Sequence, residues 1–234
     1  MLKMKSVTGG YGEKKVLRGV DLELRDNEIL GLVGPNGSGK STVLKAIFGM
    51  LKVDDGDILL NGEQIKNRST SQNVLSGISY VPQGNRVFDK LTVQENIEMG
   101  GVLLKDSRVL RERIEQLYEQ YPKLKPYRNK AARKLSGGER QMVGICMGLV
   151  MQPKILLIDE PSIGLAPRLV EQSMNMIKEI HEKNKVTVLM VEQNVHALLS
   201  VADRVYLLRQ GNIVHEEKRV NENTIDHLRE LFLQ

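Results

Sequence analysis

Apolar and polar residues alternate at Val20, Leu22 and Leu24, the period of a half-buried strand, and Arg25-Asp26-Asn27-Glu28 supplies the turn that ends it. The next run, Ile29-Leu30-Gly31-Leu32-Val33, is apolar throughout and predicts a strand covered on both faces. After the glycine-rich stretch that begins at Gly34, Val43, Leu44, Ile47 and Phe48 repeat at helical spacing and stop at Gly49. Ile58-Leu59-Leu60 before Asn61-Gly62 predicts a hairpin strand with its turn, and Ile78 to Val81 predicts a further short strand.

The pattern changes after Gln83. From about Val93 to Met151 there is little strand signal. Leu110, Ile114, Leu117 and Tyr121 fall at helical spacing before Pro122, and Met142, Ile145, Cys146 and Leu149 do so before Pro153. Strand signal returns at Ile155-Leu156-Leu157-Ile158. A helix follows, with Pro167 at its start and Val170, Met174 and Ile177 on one face. Val186 to Val191 and Arg204 to Leu208 predict two more buried strands, the second turning through Arg209-Gln210-Gly211-Asn212 into Ile213-Val214. Strands alternating with helices give an α/β class, a mostly parallel sheet with an inserted helical subdomain.

Composition narrows the classes. The 234 residues are 41% hydrophobic and 27% charged, the balance of an ordered chain with one large domain. With 4% aromatic residues and no Trp, the core is built from Leu, Ile, Val and Met, and few surfaces remain for stacking single-stranded nucleic acid. Lys and Arg number 34 against 29 acids, a net charge of +5, but the charges are interspersed along solvated faces, so no nucleic-acid partner is expected. The single Cys146 excludes an intramolecular disulfide and a multi-cysteine metal site, and fits a reducing compartment. No apolar run approaches the ~20 residues that cross a bilayer. Met1-Leu2-Lys3-Met4-Lys5 has neither an apolar block nor a cleavage site, so a cytoplasmic chain is expected.

The strongest chemical signal is Gly34-Pro35-Asn36-Gly37-Ser38-Gly39-Lys40-Ser41, followed by Thr42, a match to G-x-x-x-x-G-K-S/T between a buried strand and a helix. Backbone N–H groups of such a loop face inward and cradle phosphate oxygens at the positive end of the helix. Lys40 is expected to reach the β- and γ-phosphates, and the Ser41 hydroxyl to ligate Mg²⁺. A second signal is the apolar strand that ends in Asp159 and Glu160. It delivers a carboxylate to the sheet edge, where Asp159 would hold Mg²⁺ through water and Glu160 would polarise the attacking water. An ordinary capping role is the alternative for Asp159. Leu135-Ser136-Gly137-Gly138-Glu139 opens another helix with a hydroxyl and bare glycine backbone, a second anion site; a plain N-cap would also explain Ser136.

The order of phosphate loop, Gln83, Leu135-Ser136-Gly137-Gly138-Glu139 and Asp159-Glu160 resembles that of ABC-type ATPases across nearly the whole chain. The resemblance implies a P-loop NTPase (RecA-like) fold: a mostly parallel core, an N-terminal antiparallel β portion and an inserted helical subdomain. The implied division is 1–85 and 154–220 for the nucleotide-binding core, 86–153 for the helical subdomain, and 221–234 for a C-terminal helix. It implies ATP and Mg²⁺ as ligands. Tyr11 would be the aromatic on which adenine stacks, Gln83 a loop glutamine that contacts Mg²⁺, and Gly34 to Thr42 the phosphate contacts. Two subunits would pair head to tail, each ATP lying between one Lys40 loop and the other subunit's Ser136, Gly137 and Gly138.

Two positions depart from the commonest family pattern. Ala166 stands where an Asp is usual, and Glu192-Gln193-Asn194 where a switch His is usual. Gln193 can hydrogen-bond a γ-phosphate but cannot titrate. His196 is read as an exposed helix residue rather than a displaced switch. Pro161-Ser162-Ile163-Gly164-Leu165-Ala166-Pro167, Val191-Glu192-Gln193-Asn194, Gly84-Asn85-Arg86-Val87-Phe88 and Met99-Gly100-Gly101 resemble the ATPase subunits of branched-chain amino acid importers. That resemblance implies an ATPase peripheral on the inner face of the cell membrane. Its partners would be a second ATPase subunit, integral membrane permeases contacted near Val87 and Phe88, and, indirectly, a substrate-binding protein. Phe88 reads equally as subdomain core. The competing class is an ABC-type ATPase in macromolecular assembly or maintenance.

Overall fold

The computed structural model describes residues 2–84, 86–220, 224, 225 and 228. Two sheets share the chain. Strands β1 (Leu2–Tyr11), β2 (Lys14–Leu24), β4 (Val53–Leu60) and β5 (Glu63–Gln64) form an antiparallel sheet in the order β2-β1-β4-β5. Strands β3 (Ile29–Val33), β6 (Ile78–Val81), β7 (Ile155–Asp159), β8 (Thr187–Val191), β9 (Arg204–Arg209) and β10 (Asn212–Glu217) form the second, in the order β10-β9-β3-β8-β7-β6. Every pairing in it is parallel except β9 with β10. The expected α/β class, with a mostly parallel core and an antiparallel N-terminal portion, is what the chain adopts. Of the expected helix over 221–234, Thr224, Ile225 and Leu228 are helical, and the rest lies outside the described residues.

The apolar strands are continuous in sequence because both of their faces are covered. In β3, Leu30 and Leu32 pack with the antiparallel sheet and with α1 (Lys40–Phe48), whereas Ile29 and Val33 pack with helices on the opposite face. Val43, Leu44 and Ile47 of α1 are fully buried, each stabilising by about 1.5–3 kcal/mol, which fixes this helix at the end of β3. Gly31 interrupts the strand for a packing reason: a Cβ there would lie 2.6 Å from Leu198 on α7 (Val195–Leu199).

Helices fill the chain between β6 and β7. After α2 (Thr70–Leu75), which precedes β6, come α3 (Val93–Gly100), α4 (Ser107–Gln120) and α5 (Gly137–Leu149), with two short 3₁₀ turns between α4 and α5. Helix α5 stops at Leu149, short of Pro153, where Val150 closes its last turn onto Cys146. Helix α6 (Pro167–Asn184) begins at Pro167, whose missing N–H costs nothing in a first turn, and buries Met174 and Ile177. Among the described residues no helix is long and apolar enough to cross a membrane.

Candidate functional site

The loop from Gly34 to Ser41 joins β3 to α1 at the carboxyl ends of the parallel strands. Gly37 and Gly39 hold φ of +78° and +109°, which favour glycine. A Cβ at Gly37 would meet no atom within 4 Å, so the tip of the loop is open; a Cβ at Gly34 would lie 2.1 Å from the Leu208 carbonyl. Lys40 curls back over this loop and donates to the carbonyls of Gly34 (2.8 Å) and Pro35 (3.2 Å). Its side chain is 5% exposed, and the ammonium lies 3.9 Å from the Glu160 carboxylate. Burial lowers its pKa, opposed by the negative charges of Glu160, Asp159 and Glu192. Gly39 gives α1 no side-chain cap. Ser38 Oγ is buried with no hydrogen-bond partner among the described residues. An orphaned hydroxyl beside uncapped N–H groups fits an oxyanion ligand such as a phosphate.

Strand β7 brings its acids to this loop. Asp159 accepts from Ser41 Oγ (2.8 Å) through one oxygen and from the Tyr80 hydroxyl (2.9 Å) through the other. Burial, then the Asp159 carboxylate, raises the Tyr80 pKa. Glu160 sits at φ +46°, a left-handed conformation unusual for a non-glycine residue. Its Oε1 accepts from Gln193 Nε2 (2.7 Å) and its Oε2 from Gln83 Nε2 (2.9 Å). Residues 40, 83, 160 and 193 thus meet around one buried carboxylate. The Ser41 hydroxyl, the Asp159 carboxylate and the Gln83 amide oxygen are hard oxygen donors, the set that suits Mg²⁺.

Four other groups named from the sequence lie around this centre. Tyr11 is half exposed, with Lys45 of α1 5.8 Å from its ring centroid, so it stands beside the phosphate-loop helix. Ser136 caps α5 and is exposed with Gly137, while Gly138 is half-buried. Ser136 bonds Glu139: its N–H and hydroxyl donate to Glu139 Oε2 at 2.7 and 2.8 Å. Helix α5 reaches the Glu160 segment through Gln141, which donates to the Pro161 carbonyl (2.9 Å) and bonds Ser173. His196 is exposed on α7, as expected of a helix-surface residue. Val87 packs on the core, whereas Phe88 is half exposed beside a cavity of about 260 Å³ lined by Tyr80, Pro82, Arg86, Met147 and Met151. The subdomain-core alternative for Phe88 does not hold.

Two site residues were not singled out from sequence, Tyr80 and Glu192. Glu192 is 1% exposed and accepts from the Ser162 N–H (2.7 Å) and hydroxyl (2.8 Å). The signal for Glu192 was available: an acid directly after an apolar strand, as at Asp159.

The profile of the ABC transporter family matches residues 17–163. The chain is 38% identical to a probable branched-chain amino acid transport ATP-binding protein LivF of Archaeoglobus fulgidus, over 91% of this chain and 90% of that one. It is 37% identical to the high-affinity branched-chain amino acid transport ATP-binding protein BraG of Pseudomonas aeruginosa, over 100% and 99%. Among solved structures it is similar to the ADP conformation of MJ1267, an ATP-binding cassette of an ABC transporter (TM-score 0.87, 27% identity, 100% of this chain and 98% of that one). It is also similar to the dimeric structure of the bacterial ABC transporter cassette MJ0796 (TM-score 0.80, 26% identity, 94% and 99%). With a family match over most of its length and relatives well above 30% identity along nearly all of it, the chain belongs to the ABC transporter family, as one of its ATP-binding, ATP-hydrolysing subunits.

Proposed function

We propose that the chain powers an importer of branched-chain or other amino acids, hydrolysing ATP at the Glu160 carboxylate. The observation that carries the catalytic part is the convergence of Lys40, Gln83 and Gln193 on Glu160, beside the bonded pair Ser41–Asp159. The two curated relatives, both branched-chain amino acid transport proteins by name, support the substrate class.

Residues 34–42 wrap the phosphates with backbone N–H groups, and Lys40 leaves its two carbonyl partners to reach the β- and γ-oxygens. Ser41, Gln83 and Asp159 would hold Mg²⁺, which when bound neutralises charge developing on the phosphates. Glu160 accepts the proton of the attacking water, and Gln193 positions the γ-phosphate. Tyr11 stacks on adenine. Residues 1–85 and 154–220 form the nucleotide-binding core and 86–153 the helical unit that carries Ser136, Gly137 and Gly138 to a second ATPase subunit, an arrangement supported by the dimeric cassette relative. The half-exposed Phe88 and its cavity offer a seat for a membrane permease, which would hold the chain on the inner face of the membrane.

The test is to purify the tagged chain from detergent-solubilised membranes of its own cells. Co-purifying integral membrane subunits are then reconstituted, and ATPase rates are measured with binding protein loaded with Leu, Ile or Val. Stimulation by these ligands is expected. A chain that hydrolyses ATP but retains no integral membrane partner belongs to the assembly or maintenance class instead.

A further inference from the structure

Glu192 follows β8 directly, and its own N–H donates to the Leu32 carbonyl (3.2 Å), two residues before the phosphate loop. Its carboxylate is buried, and among the described residues each group hydrogen-bonded to it is a donor from one of two segments. Oε1 accepts from the Ser162 N–H (2.7 Å). Oε2 accepts from the Ser162 hydroxyl (2.8 Å) and from the N–H groups of Gln193 (3.1 Å) and Asn194 (3.4 Å). Burial pushes its carboxyl above the ordinary range, and these hydrogen bonds oppose that rise.

We propose that Glu192 is a positioning residue for hydrolysis: it clamps the Ser162 segment to the Gln193–Asn194 segment and so fixes Glu160 against Gln193. This rests on the roles given above to Glu160 and Gln193. The bonds close a ring. Glu160 leads through Pro161 to Ser162, Ser162 bonds Glu192, Glu192 is joined covalently to Gln193, and the Gln193 side chain returns to Glu160 at 2.7 Å. Glu160 needs such support, because a left-handed φ of +46° at a non-glycine residue persists only when its surroundings over-determine it.

The chemistry of the clamp selects an acid. A carboxylate is acceptor-only, and all four facing groups donate. A glutamine has the same length but one NH₂, which must face either the Ser162 N–H or the N–H pair of Gln193 and Asn194. One side of the clamp is then a donor against a donor. An aspartate, one methylene shorter, cannot span both segments. Neither change contacts Lys40 or the loop from Gly34 to Ser41, and of the three acids whose charge acts on Lys40, Glu192 acts least, so ATP binding is separable from turnover.

The experiment compares kcat and ATP affinity for the parent, Glu160→Gln, Gln193→Ala, Glu192→Gln, Ser162→Ala and the double variant Glu192→Gln/Gln193→Ala, all as full chains. Glu192→Gln is expected to lower kcat by about tenfold or more while the ATP dissociation constant stays within about twofold, the split that marks loss of a transition-state arrangement. In the Gln193→Ala background the same change should cost much less, because the ring is already open. A Glu192→Gln chain with parental kcat, or with equal losses in both backgrounds and weakened ATP binding, overturns the clamp. If Glu192→Gln gives no cooperative thermal transition, Ser162→Ala decides. A lowered kcat with unchanged ATP affinity supports the clamp, and parental kcat overturns it. Unchanged rates in Glu160→Gln and Gln193→Ala would instead sink the site reading, and the clamp with it.

Discussion

Helices α1 and α5 both start in glycine-rich sequence, and both have N–H groups in their first turn that no helical carbonyl can satisfy. At α1 the N-cap is Gly39, no side chain caps the turn, Lys40 is buried, and Ser38 Oγ is unpartnered among the described residues. At α5 the N-cap is Ser136, and a reciprocal box with Glu139 closes the turn at the surface. The first turn is left open for a ligand and lined by groups of its own chain. The second is finished by its own side chains and stays stable while it waits for something to arrive. A phosphate can enter at α1 without breaking a cap, whereas at α5 the Ser136 hydroxyl must give up its bond to Glu139. On this contrast, the function proposed above has α1 govern affinity for nucleotide and α5 govern what happens after binding.

The largest expected effect tests the carboxylate that the α1 end is built around. Glu160→Gln keeps size and shape but removes the proposed base, so kcat should fall by about 10²–10⁴-fold with ATP binding retained, measured by single-turnover hydrolysis beside equilibrium binding. A change of less than about tenfold would mean that another group handles the proton. Next comes Lys40→Ala. Losing one charged hydrogen-bond donor to phosphate is worth ~1.5–3 kcal/mol, so MgATP affinity by calorimetry should drop by about 10- to 100-fold. Equal affinity in mutant and parent would break the assignment of α1 as the nucleotide end. Ser136→Ala sharpens the same comparison from the other side. Monomer ATP affinity should match the parent, and ATP-driven dimerisation, followed by light scattering, should weaken by about tenfold. If monomer affinity falls as well, α5 is not an end that acts after binding.

The α1 end was legible in sequence because its parts are consecutive: an apolar strand, a glycine loop and a helix in one stretch of chain. The central strands were legible for a related reason, since burial on both faces turns Ile29–Val33, Ile155–Ile158 and Val188–Val191 into unbroken apolar runs. Strand β1 was not read from its own pattern. Its pairing with β2 shifts register after Met4, Val7 and Gly9, and Ser6 adopts φ +47°, so strict alternation is lost. Helices α2 and α3 are too short for a clear apolar stripe. Their starts were nonetheless written as Ser69-x-x-Gln72 and Thr92-x-x-Glu95, the same box that closes α5. Tyr80 and Glu192 escaped for a different reason. Tyr80 meets Asp159 only because β6 pairs with β7, and Glu192 meets Ser162 only because β7 pairs with β8 with Asp159 opposite Val191. Those neighbours are set by sheet order, which local sequence does not encode.

The smallest effect tests whether the box is what finishes α5. Hydrogen bonds from Ser136, its backbone N–H foremost, hold the Glu139 carboxyl below the ordinary carboxylate range. A group whose folded pKa is depressed lends stability that is present above its unfolded value and is lost as pH falls through the folded one. Glu139→Ala removes the returning half of the box, worth about 1 kcal/mol, and a chain of this size should lose roughly 2–4 °C in Tm at pH 7. Glu139→Gln keeps an acceptor for Ser136 without a charge and should stay within about 1 °C of the parent. As pH falls below the ordinary carboxylate range of about pH 4, the parent's carboxyl takes up its proton but keeps a carbonyl acceptor. The parent should then fall to the level of Glu139→Gln, and its gap over Glu139→Ala should narrow to the margin that Glu139→Gln holds. Calorimetric scans of the three chains across that interval decide it. A parent-to-Ala gap that never narrows on acidification, down to the pH at which the chain itself unfolds, would mean that the Glu139 charge does not hold the first turn of α5, and the contrast between a self-finished α5 and an open α1 would fail.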